Sequence, residues 1–319
     1  MTHRRSLIAA TAALGVLPRI ALAQQRFASL YMFVPAGPGG GWDGLGRAIE
    51  QAARASGLVG TLQFENVGGA GGMVGLPRFL QQRRGRADAL MVGGSVMVGA
   101  ALTNKTPISL QNTVAVARMT EEAGVIIVPA NSPIQNIGQL ADALKANPRA
   151  VSVAGGSAGG TDHIILGLML QKLGRQPREA SFVAFPGGGP AQAAILGGQV
   201  AAGISGWSEF SEQIKAGRVR ALATTGERRL DSAVPTLKES GIDVVATNWR
   251  GVFGAPGINA TQRQALVDLM TAIHATEAWR RILEDRGWED AFLTGPAFDQ
   301  FLDRDRSETE GVLKDLGLA

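Results

Sequence analysis

Residues 29–43 read SLYMFVPAGPGGGWD: a short apolar segment, a glycine-rich loop at 37–41, and then Trp42 and Asp43, where a helix is predicted to begin. The same order recurs at 150–163 (AVSVAGGSAGGTDH) and at 181–190 (SFVAFPGGGP), where the helix is predicted to begin at Pro190. A strand that passes through a tight turn into a helix is the repeating unit of α/β folds. The three segments therefore predict an α/β protein.

The same three loops predict a binding site for an anion. The first turn of a helix leaves about four backbone N–H groups without partners and carries a partial positive charge. Glycine has no Cβ, so an anion can approach those N–H groups closely. Glycines can also serve only to permit tight turns, but three loops of one design favour the binding of a small carboxylate or phosphate.

Predicted strands and helices alternate along most of the chain. Strands are predicted at 29–35, 61–66, 88–93, 124–129, 150–154, 181–185, 200–204, 219–225 and 249–254. Helices are predicted between them at 42–55, 137–146, 161–173, 190–196 and 209–216. This alternation predicts parallel or mixed sheets covered by helices on both faces. After about Ala260 the pattern predicts only helices, at 261–275, 277–286 and 296–316.

The first 23 residues have the layout of an export signal. A basic start at His3-Arg4-Arg5 is followed by the apolar run Leu7–Leu17 and by the small-residue cleavage site Ala21-Leu22-Ala23. The apolar run is too short to span a bilayer. Arg4-Arg5 is compatible with a twin-arginine signal as well as with Sec export. We expect cleavage after Ala23 and a periplasmic protein of about 296 residues, a length that predicts two lobes.

Charge and composition exclude several classes of function. The whole chain has 31 basic and 27 acidic residues, and three of the arginines lie in the export signal, which leaves 28 against 27 and a net charge of +1. This balance is not that of a nucleic-acid-binding protein. There is no cysteine and there are only three histidines, one of them His3 in the signal. The sequence therefore predicts no metal site and no cofactor.

Two motifs raise the alternative of an enzyme. Gly39-x-Gly41-x-x-Gly44, with Glu65 about 20 residues later, matches a dinucleotide-binding fingerprint. However, Pro35 and Pro38 stiffen the approach, and the first glycine does not follow its strand at once. Gly155-x-Ser157-x-Gly159 matches the nucleophile elbow of serine hydrolases. A hydrolase also needs a histidine base. His163 follows only six residues later, and His274 lies in a predicted helix, so no good base is available.

Several motifs together resemble one family of periplasmic receptors. They are VPAGPGGGWD at 34–43, NVGGAGG at 66–72, GGSAGGTDH at 155–163, GGQV at 197–200, KAGRVRALA at 215–223, PTLKE at 235–239 and NWRG at 248–251. In this order they resemble the solute receptors of tripartite tricarboxylate transporters, and the forms GPGGGWD, GGSAGGTDH and NWRG are most similar to the tricarboxylate-receptor (TctC/Bug-like) branch.

The resemblance implies a two-lobed periplasmic-binding-protein fold of type II, with mixed sheets covered by helices and a ligand cleft between the lobes. It places the first part of lobe I at 24–124, lobe II at 125–225, and the return to lobe I with the C-terminal helices at 226–319. Two crossover strands would join the lobes, which would close on a ligand like a Venus flytrap.

The resemblance also implies a set of ligand-binding residues and no catalytic residue. The two glycine loops would each hold one carboxylate, Ser95 and Ser205 would follow the predicted strands 88–93 and 200–204, and Arg250 would hold a third negative charge. The full set of implied ligand-binding residues is Gly39, Gly40, Gly41, Trp42, Asp43, Ser95, Ser157, Ala158, Gly159, Thr161, His163, Ser205 and Arg250. Asp43 and Asp162 can instead cap their helices, His163 and Trp42 can instead be packed residues, and Arg250 can instead form a surface or lobe-internal ion pair.

The function implied is capture of a small di- or tricarboxylate, citrate-like by branch, and its delivery to a membrane permease with one large and one small subunit. The expected receptor is a monomer, is not an enzyme, and has no nucleic-acid partner. Two alternatives stay open from the sequence: the ligand-binding subunit of a carboxylate sensor, and a secreted serine hydrolase that uses Ser157.

Overall fold

The computed structural model describes residues 26–319; the predicted export signal and its cleavage site after Ala23 lie outside the described residues. The strands are β1 (Phe27–Val34), β2 (Val59–Asn66), β3 (Ala89–Gly94), β4 (Val114–Pro129), β5 (Ser152–Gly155), β6 (Ser181–Ala184), β7 (Ala202–Gly206), β8 (Val219–Thr224), β9 (Thr247–Gly254) and β10 (Glu289–Thr294). The helices are α1 (Gly41–Ala55), α2 (Gly75–Gln82), α3 (Ser95–Thr103), α4 (Ile137–Ala146), α5 (Thr161–Lys172), α6 (Gly188–Leu196), α7 (Trp207–Lys215), α8 (Ala260–His274), α9 (Glu277–Arg286) and α10 (Gly295–Asp315).

One sheet is built around β1 and defines what we call the first lobe. Its strand order is β2-β1-β3-β9-β4, and β10 pairs with β4 at the far edge. The strands β2, β1 and β3 are parallel, whereas β9 runs antiparallel to both β3 and β4. Every residue of β3 (ALMVGG) is buried, as expected for a central strand covered on both faces.

A second sheet defines the second lobe. Its strands β5, β6 and β7 are parallel, with β5 between the other two. The end of β4 pairs antiparallel with β7 and β8. Thus β4, which is 16 residues long, belongs to both sheets and passes from one lobe to the other.

Separate hydrophobic cores support the two lobes. The core of the first lobe combines residues of the N-terminal half, such as Phe33 and Phe79, with residues far along the chain, such as Phe253 and Trp279. The second lobe has its own apolar clusters on the two faces of its sheet. The structure is thus an α/β fold with two lobes, as predicted. The lobe boundaries at 124 and 225 stay a prediction.

Helix ends follow local rules of sequence. Asn259 caps α8 in a capping box with Gln262, and the Thr276 hydroxyl caps α9 by accepting from the Trp279 N–H. Gly287 follows the last residue of α9 and caps it, with a left-handed conformation (φ 63°) that favours glycine. From Arg26 to the C-terminus, the structure holds no helix whose length and apolar character would let it cross a membrane.

Three sequence predictions about the elements were wrong in part. Beyond Ala260 the structure contains the strand β10, because Glu289–Thr294 pairs with the distant strand β4. The predicted strand 124–129 is only the end of β4, whose first half carries charged residues that hide the strand pattern. The third loop enters its helix at Gly188, two residues before Pro190.

Candidate functional site

A cavity of about 60 Å³ lies between the two lobes. Five helices begin around it, since residues at or just before the first turns of α1, α3, α5, α6 and α7 line its wall. A helix N-terminus presents unpaired N–H groups and a partial positive charge. Convergence of five such ends makes the cavity suited to an anion.

The loop before α1 is held in shape by a carboxylate behind it. Asp43 accepts a hydrogen bond from the Gly39 N–H (3.1 Å) and another from the Asn66 side-chain amide (3.0 Å). Gly39 has a φ of +81°, a conformation that favours glycine. Asp43 and Gly39 thus shape the loop and do not line the cavity, whereas Gly40 and Gly41 do. No side chain caps α1, so its first N–H groups are available to a ligand.

The loop before α5 reaches the cavity from the second lobe. The Asp162 carboxylate accepts a hydrogen bond from the Gly156 N–H (2.7 Å), and both residues line the cavity. Ser157, which is 8% exposed, accepts a hydrogen bond from the Gly71 N–H of the first lobe (2.7 Å). The Ser157 hydroxyl thus joins the two lobes while its own proton stays available for a ligand.

Further contacts between the lobes show that they are closed on each other. The Ser95 and Thr161 hydroxyls lie 3.0 Å apart, and the Gly37 N–H donates to the Pro186 carbonyl (3.3 Å). The Ser95 hydroxyl also donates to the Asn248 side-chain carbonyl (2.7 Å). Ser95 directly follows β3 and begins α3 without an intervening loop. Ser95 and Thr161 thus form a hydrogen bond between the closed lobes, and neither residue lines the cavity.

His163 is a packed side chain. Its ring stacks on Phe182 with 4.4 Å between centroids, and its Nδ1 atom accepts from the Gly159 N–H (3.2 Å). Burial lowers the pKa of His163, so the ring is neutral at neutral pH. His163 does not line the cavity, and neither do Ala158 and Gly159 in the preceding loop.

Buried charges form the floor of the cavity. The Arg250 guanidinium pairs closely with Glu122 on β4, and its Nη2 atom lies 3.6 Å from the Glu209 carboxylate on α7. Arg250 is 1% exposed and fits against α1 only because Gly41 has no side chain: a Cβ there would lie 2.3 Å from Nη2. Arg250 therefore lies on the cavity wall, but its charge is already engaged by Glu122.

Two carboxyl groups on this floor have raised pKa values. Burial, which is the largest cause, and the charges of Glu122 and Asp162 together raise the pKa of Glu209 to about 8, although Arg250 and the Ser205 hydroxyl act to lower it. Burial also raises the pKa of Asp162 to about 6, against the opposing hydrogen bond from the Gly156 N–H. Desolvation of the charged form is the main cause in both cases.

The structure brings six of the predicted ligand-binding residues to the cavity wall. These are Gly40, Gly41, Trp42, Ser157, Ser205 and Arg250. Ser205 lies inside β7, not after it as predicted, because β7 continues its pairing with β4 as far as Gly206. Whether these six residues bind a ligand stays a prediction.

Sequence reasoning missed other residues of the wall. Gly71 and Gly188 belong to glycine loops that the sequence singled out, so a local signal existed for them. Glu209 also lines the wall, in the first turn of α7. Nothing in its neighbourhood in the sequence distinguishes it from a solvent-facing glutamate, so no local signal could have found it.

Within residues 26–319, the key residues of the two enzyme motifs do not have the partners that such enzyme sites need. Among residues 26–319, His163 is engaged with Gly159 and Phe182, and His274 pairs with Asp290, so neither hydrogen-bonds to Ser157. Glu65, the acidic residue of the dinucleotide-binding fingerprint, is bound by the Tyr31 hydroxyl and by Arg78. The same part of the chain contains no cluster of His, Asp or Glu able to hold a metal ion.

Comparison with known proteins gives a family match over most of the chain. The profile of the tripartite tricarboxylate transporter family receptor matches residues 47–318. The chain is 29% identical over 329 aligned residues to the "UPF0065 protein in gbd 5'region" of Cupriavidus necator, which covers 99% of this chain and 97% of that protein. It is 27% identical to protein BugT of Bordetella pertussis, covering 77% and 80% respectively.

Solved structures share the fold at low sequence identity. The periplasmic binding protein BugD superposes with a TM-score of 0.81 at 22% identity, covering 91% of this chain and 98% of that one. MatC from Rhodopseudomonas palustris with bound malate has a TM-score of 0.78 at 22% identity, covering 89% and 98%. Rpa4515 from R. palustris with adipate has a TM-score of 0.80 at 20% identity, covering 91% and 97%.

Proposed function

We propose the following function for the chain, which belongs to the tripartite tricarboxylate transporter receptor family: it is an exported receptor that captures a small dicarboxylate between its two lobes. The observation that carries this proposal is the convergence of five helix N-termini on one cavity between the lobes. Backbone N–H groups at helix ends hold carboxylates without needing a cationic side chain.

Each lobe would hold one end of the ligand. The N–H groups of Gly41 and Trp42 at the start of α1 would bind one carboxylate, and the start of α5 with the Ser157 hydroxyl would bind the other. A ligand that touches both lobes gains contacts in the closed state that it lacks in the open one. Such a difference in affinity shifts the equilibrium toward the closed form.

A dicarboxylate fits this site better than the citrate-like tricarboxylate that the branch implies. A third carboxylate needs a free cation, but the Arg250 charge is engaged by Glu122 and faces Glu209. The cavity volume of about 60 Å³ is also small. Malate and adipate, which are bound in two structures of the same fold, are dicarboxylates. We therefore expect a small dicarboxylate to bind more tightly than citrate.

The receptor would work outside the cytoplasm. Export through the signal that ends at Ala23 would place the mature chain in the periplasm, where the closed, loaded form would dock as a monomer on a permease with one large and one small subunit. Its role is binding and delivery without chemical change of the ligand. The lobes that close would consist of residues 24–124 with 226–319, and of residues 125–225.

A binding screen tests the proposal. The chain from Gln24 onward is mixed with malate, succinate, adipate, citrate or aspartate, and its melting temperature is measured. Ligand at about 100 times its Kd stabilises a protein by about 2.7 kcal/mol, which raises the melting temperature by about 4 °C for a chain of this size. Calorimetry then gives Kd for the acids that shift the melting temperature.

The expected result is a rise with at least one dicarboxylate, a smaller rise with citrate, and no hydrolysis of p-nitrophenyl acetate above the buffer rate. No shift with any of the five acids would contradict the receptor function. Ester hydrolysis that Ser157→Ala abolishes would instead support the hydrolase alternative.

A further inference from the structure

Glu209 lines the cavity with one of its two carboxyl oxygens unpaired among the described residues. The side chain is 9% exposed and lines the cavity, and its Oε2 atom has no hydrogen-bond partner within residues 26–319. The carboxyl lies directly against the start of α6, because a Cβ on Gly188 would stand 1.6 Å from Oε2. A buried polar atom of this kind costs free energy unless something pairs with it.

The charges around Glu209 do not balance if every group is ionised. Arg250 on β9 is the one guanidinium on the cavity wall described here, and its closest partner is Glu122 on β4, which is 0% exposed. The Asp162 carboxyl on α5 lines the same cavity. Three carboxyl groups thus share Arg250 and, beside Glu122, Arg286 in a site sheltered from water, so that negative charges still outnumber positive ones. Like charges held together in this way leave one group protonated.

The protonated group is Glu209. Its pKa is raised to about 8, whereas the pKa of Asp162 is raised only to about 6, so Asp162 is ionised above pH 7. The other groups that face Glu209 are the Ser205 hydroxyl at the end of β7 and the Arg250 guanidinium. Arg286 on α9 is the next cation; it interacts with Glu122 and lies 4.9 Å from the Trp288 ring centroid.

We propose that Glu209 binds the captured carboxylate as a neutral acid, its O–H donating to a carboxylate oxygen of the ligand, so that binding takes up a proton. This inference rests on the proposed function. An ionised Glu209 would repel the ligand, whereas the neutral form carries an O–H at the unpaired Oε2 position that a carboxylate oxygen of the ligand can accept. Glu209 then makes the site select anions over amines and couples capture to pH.

The direction of the pH effect follows from linkage. Ligand binds the protonated form, so affinity is highest below the pKa of Glu209 and falls as pH rises through it. With a pKa of about 8, the neutral fraction falls from about 0.9 at pH 7 to about 0.09 at pH 9. The Kd should therefore rise about tenfold over this range, and proton uptake per binding event should rise from about 0.1 to about 0.9.

The test measures Kd by calorimetry at pH 7, 8 and 9 with the tightest-binding of malate, succinate and adipate, all of which are fully ionised in this range. Wild type should show the tenfold weakening. Glu209→Gln keeps a neutral donor at every pH, so its Kd should be flat and within a few-fold of the wild-type value at pH 7. Glu212→Gln, on the same helix and 77% exposed, is the matched control and should behave like wild type.

Proton uptake is measured on wild type alone, in buffers of different ionisation enthalpy, so the test does not depend on any variant folding. A wild-type Kd that changes less than twofold from pH 7 to 9, or the same fall in Glu209→Gln, overturns the proposal. A second result would also overturn the proposal: wild type binds aspartate more tightly than malate, and Glu209→Gln loses this preference. Glu209 would then be an ionised acceptor for the ammonium group of aspartate. Absence of binding by every acid at every pH is a different result and refutes the proposed function itself.

Discussion

Replacing Gly40 by valine tests whether the loop before α1 forms the binding site. A Cβ at Gly40 would lie 3.1 Å from the Gly188 N atom and 3.5 Å from the Gly189 N atom, both at the start of α6 in the other lobe. The two valine methyls would extend into the space between the two helix ends. They would therefore take the place of a carboxylate and also prevent the lobes from closing.

The expected loss of affinity can be estimated from the hydrogen bonds. Bonds to a charged group are worth about 1.5–3 kcal/mol each. Loss of two of them costs at least about 3 kcal/mol, which corresponds to about 150-fold in Kd. The unbound fold should persist, because Gly40 has a φ of −90° that valine can adopt without strain.

Calorimetry with the best ligand of the screen, together with a melting curve in its absence, measures both effects. Gly311→Val on α10 is the matched control, since a Cβ there meets no atom within 4 Å, and it should bind like wild type. If Gly40→Val binds within threefold of wild type, the loop is only a turn and the assignment of the site is wrong. If its melting temperature falls by more than 10 °C, the loop supports the fold itself, and the reasoning that the unbound fold persists in Gly40→Val fails.

Two further substitutions test the contact between the lobes and the charge on the cavity floor. Ser157→Ala removes the acceptor of the Gly71 N–H and one hydrogen-bond donor to the ligand. The Kd should therefore rise about tenfold, with little change in melting temperature. An unchanged Kd in calorimetry would exclude Ser157 from the site. Glu122→Gln breaks the buried pair with Arg250 and should lower the free energy of unfolding in urea at pH 7 by about 3 kcal/mol. The exposed control Glu277→Gln should cost less than 1 kcal/mol, and an equal cost for both would show that the buried pair does not stabilise the fold.

The predictions from sequence succeed where the signal is local. In residues 29–43 the apolar strand, the glycine loop and the helix start all lie within one short window, and each follows from backbone physics that needs no distant partner. Gly40 and Gly41 of this loop accordingly lie on the cavity wall, and their binding of a ligand stays a prediction. The same logic located the loop that contains Ser157.

The predictions from sequence were wrong where a strand pairs with a strand that is distant in the chain. Strand β10 and the first half of β4 carry charged residues and lack a clean alternation, yet they form because their backbones pair with each other. Strand pairing of this kind satisfies N–H and C=O groups across the sheet, and no short window of sequence encodes it. The pattern after Ala260 therefore predicted helices alone.

The chemistry of the cavity floor was decided only by the tertiary structure. From the sequence, Arg250 is a free cation in a motif and Glu209 is an ordinary helical glutamate. The fold brings Arg250 to Glu122, 128 residues away in the chain, and places both beside Glu209 where water is excluded. A charge's effect depends on its distance from other charges and on the surrounding medium. The distances between the charges and the surrounding medium are both set when β4 and β9 pair and the lobes close. Neither can be inferred from the residues that flank any one of these charges in the sequence.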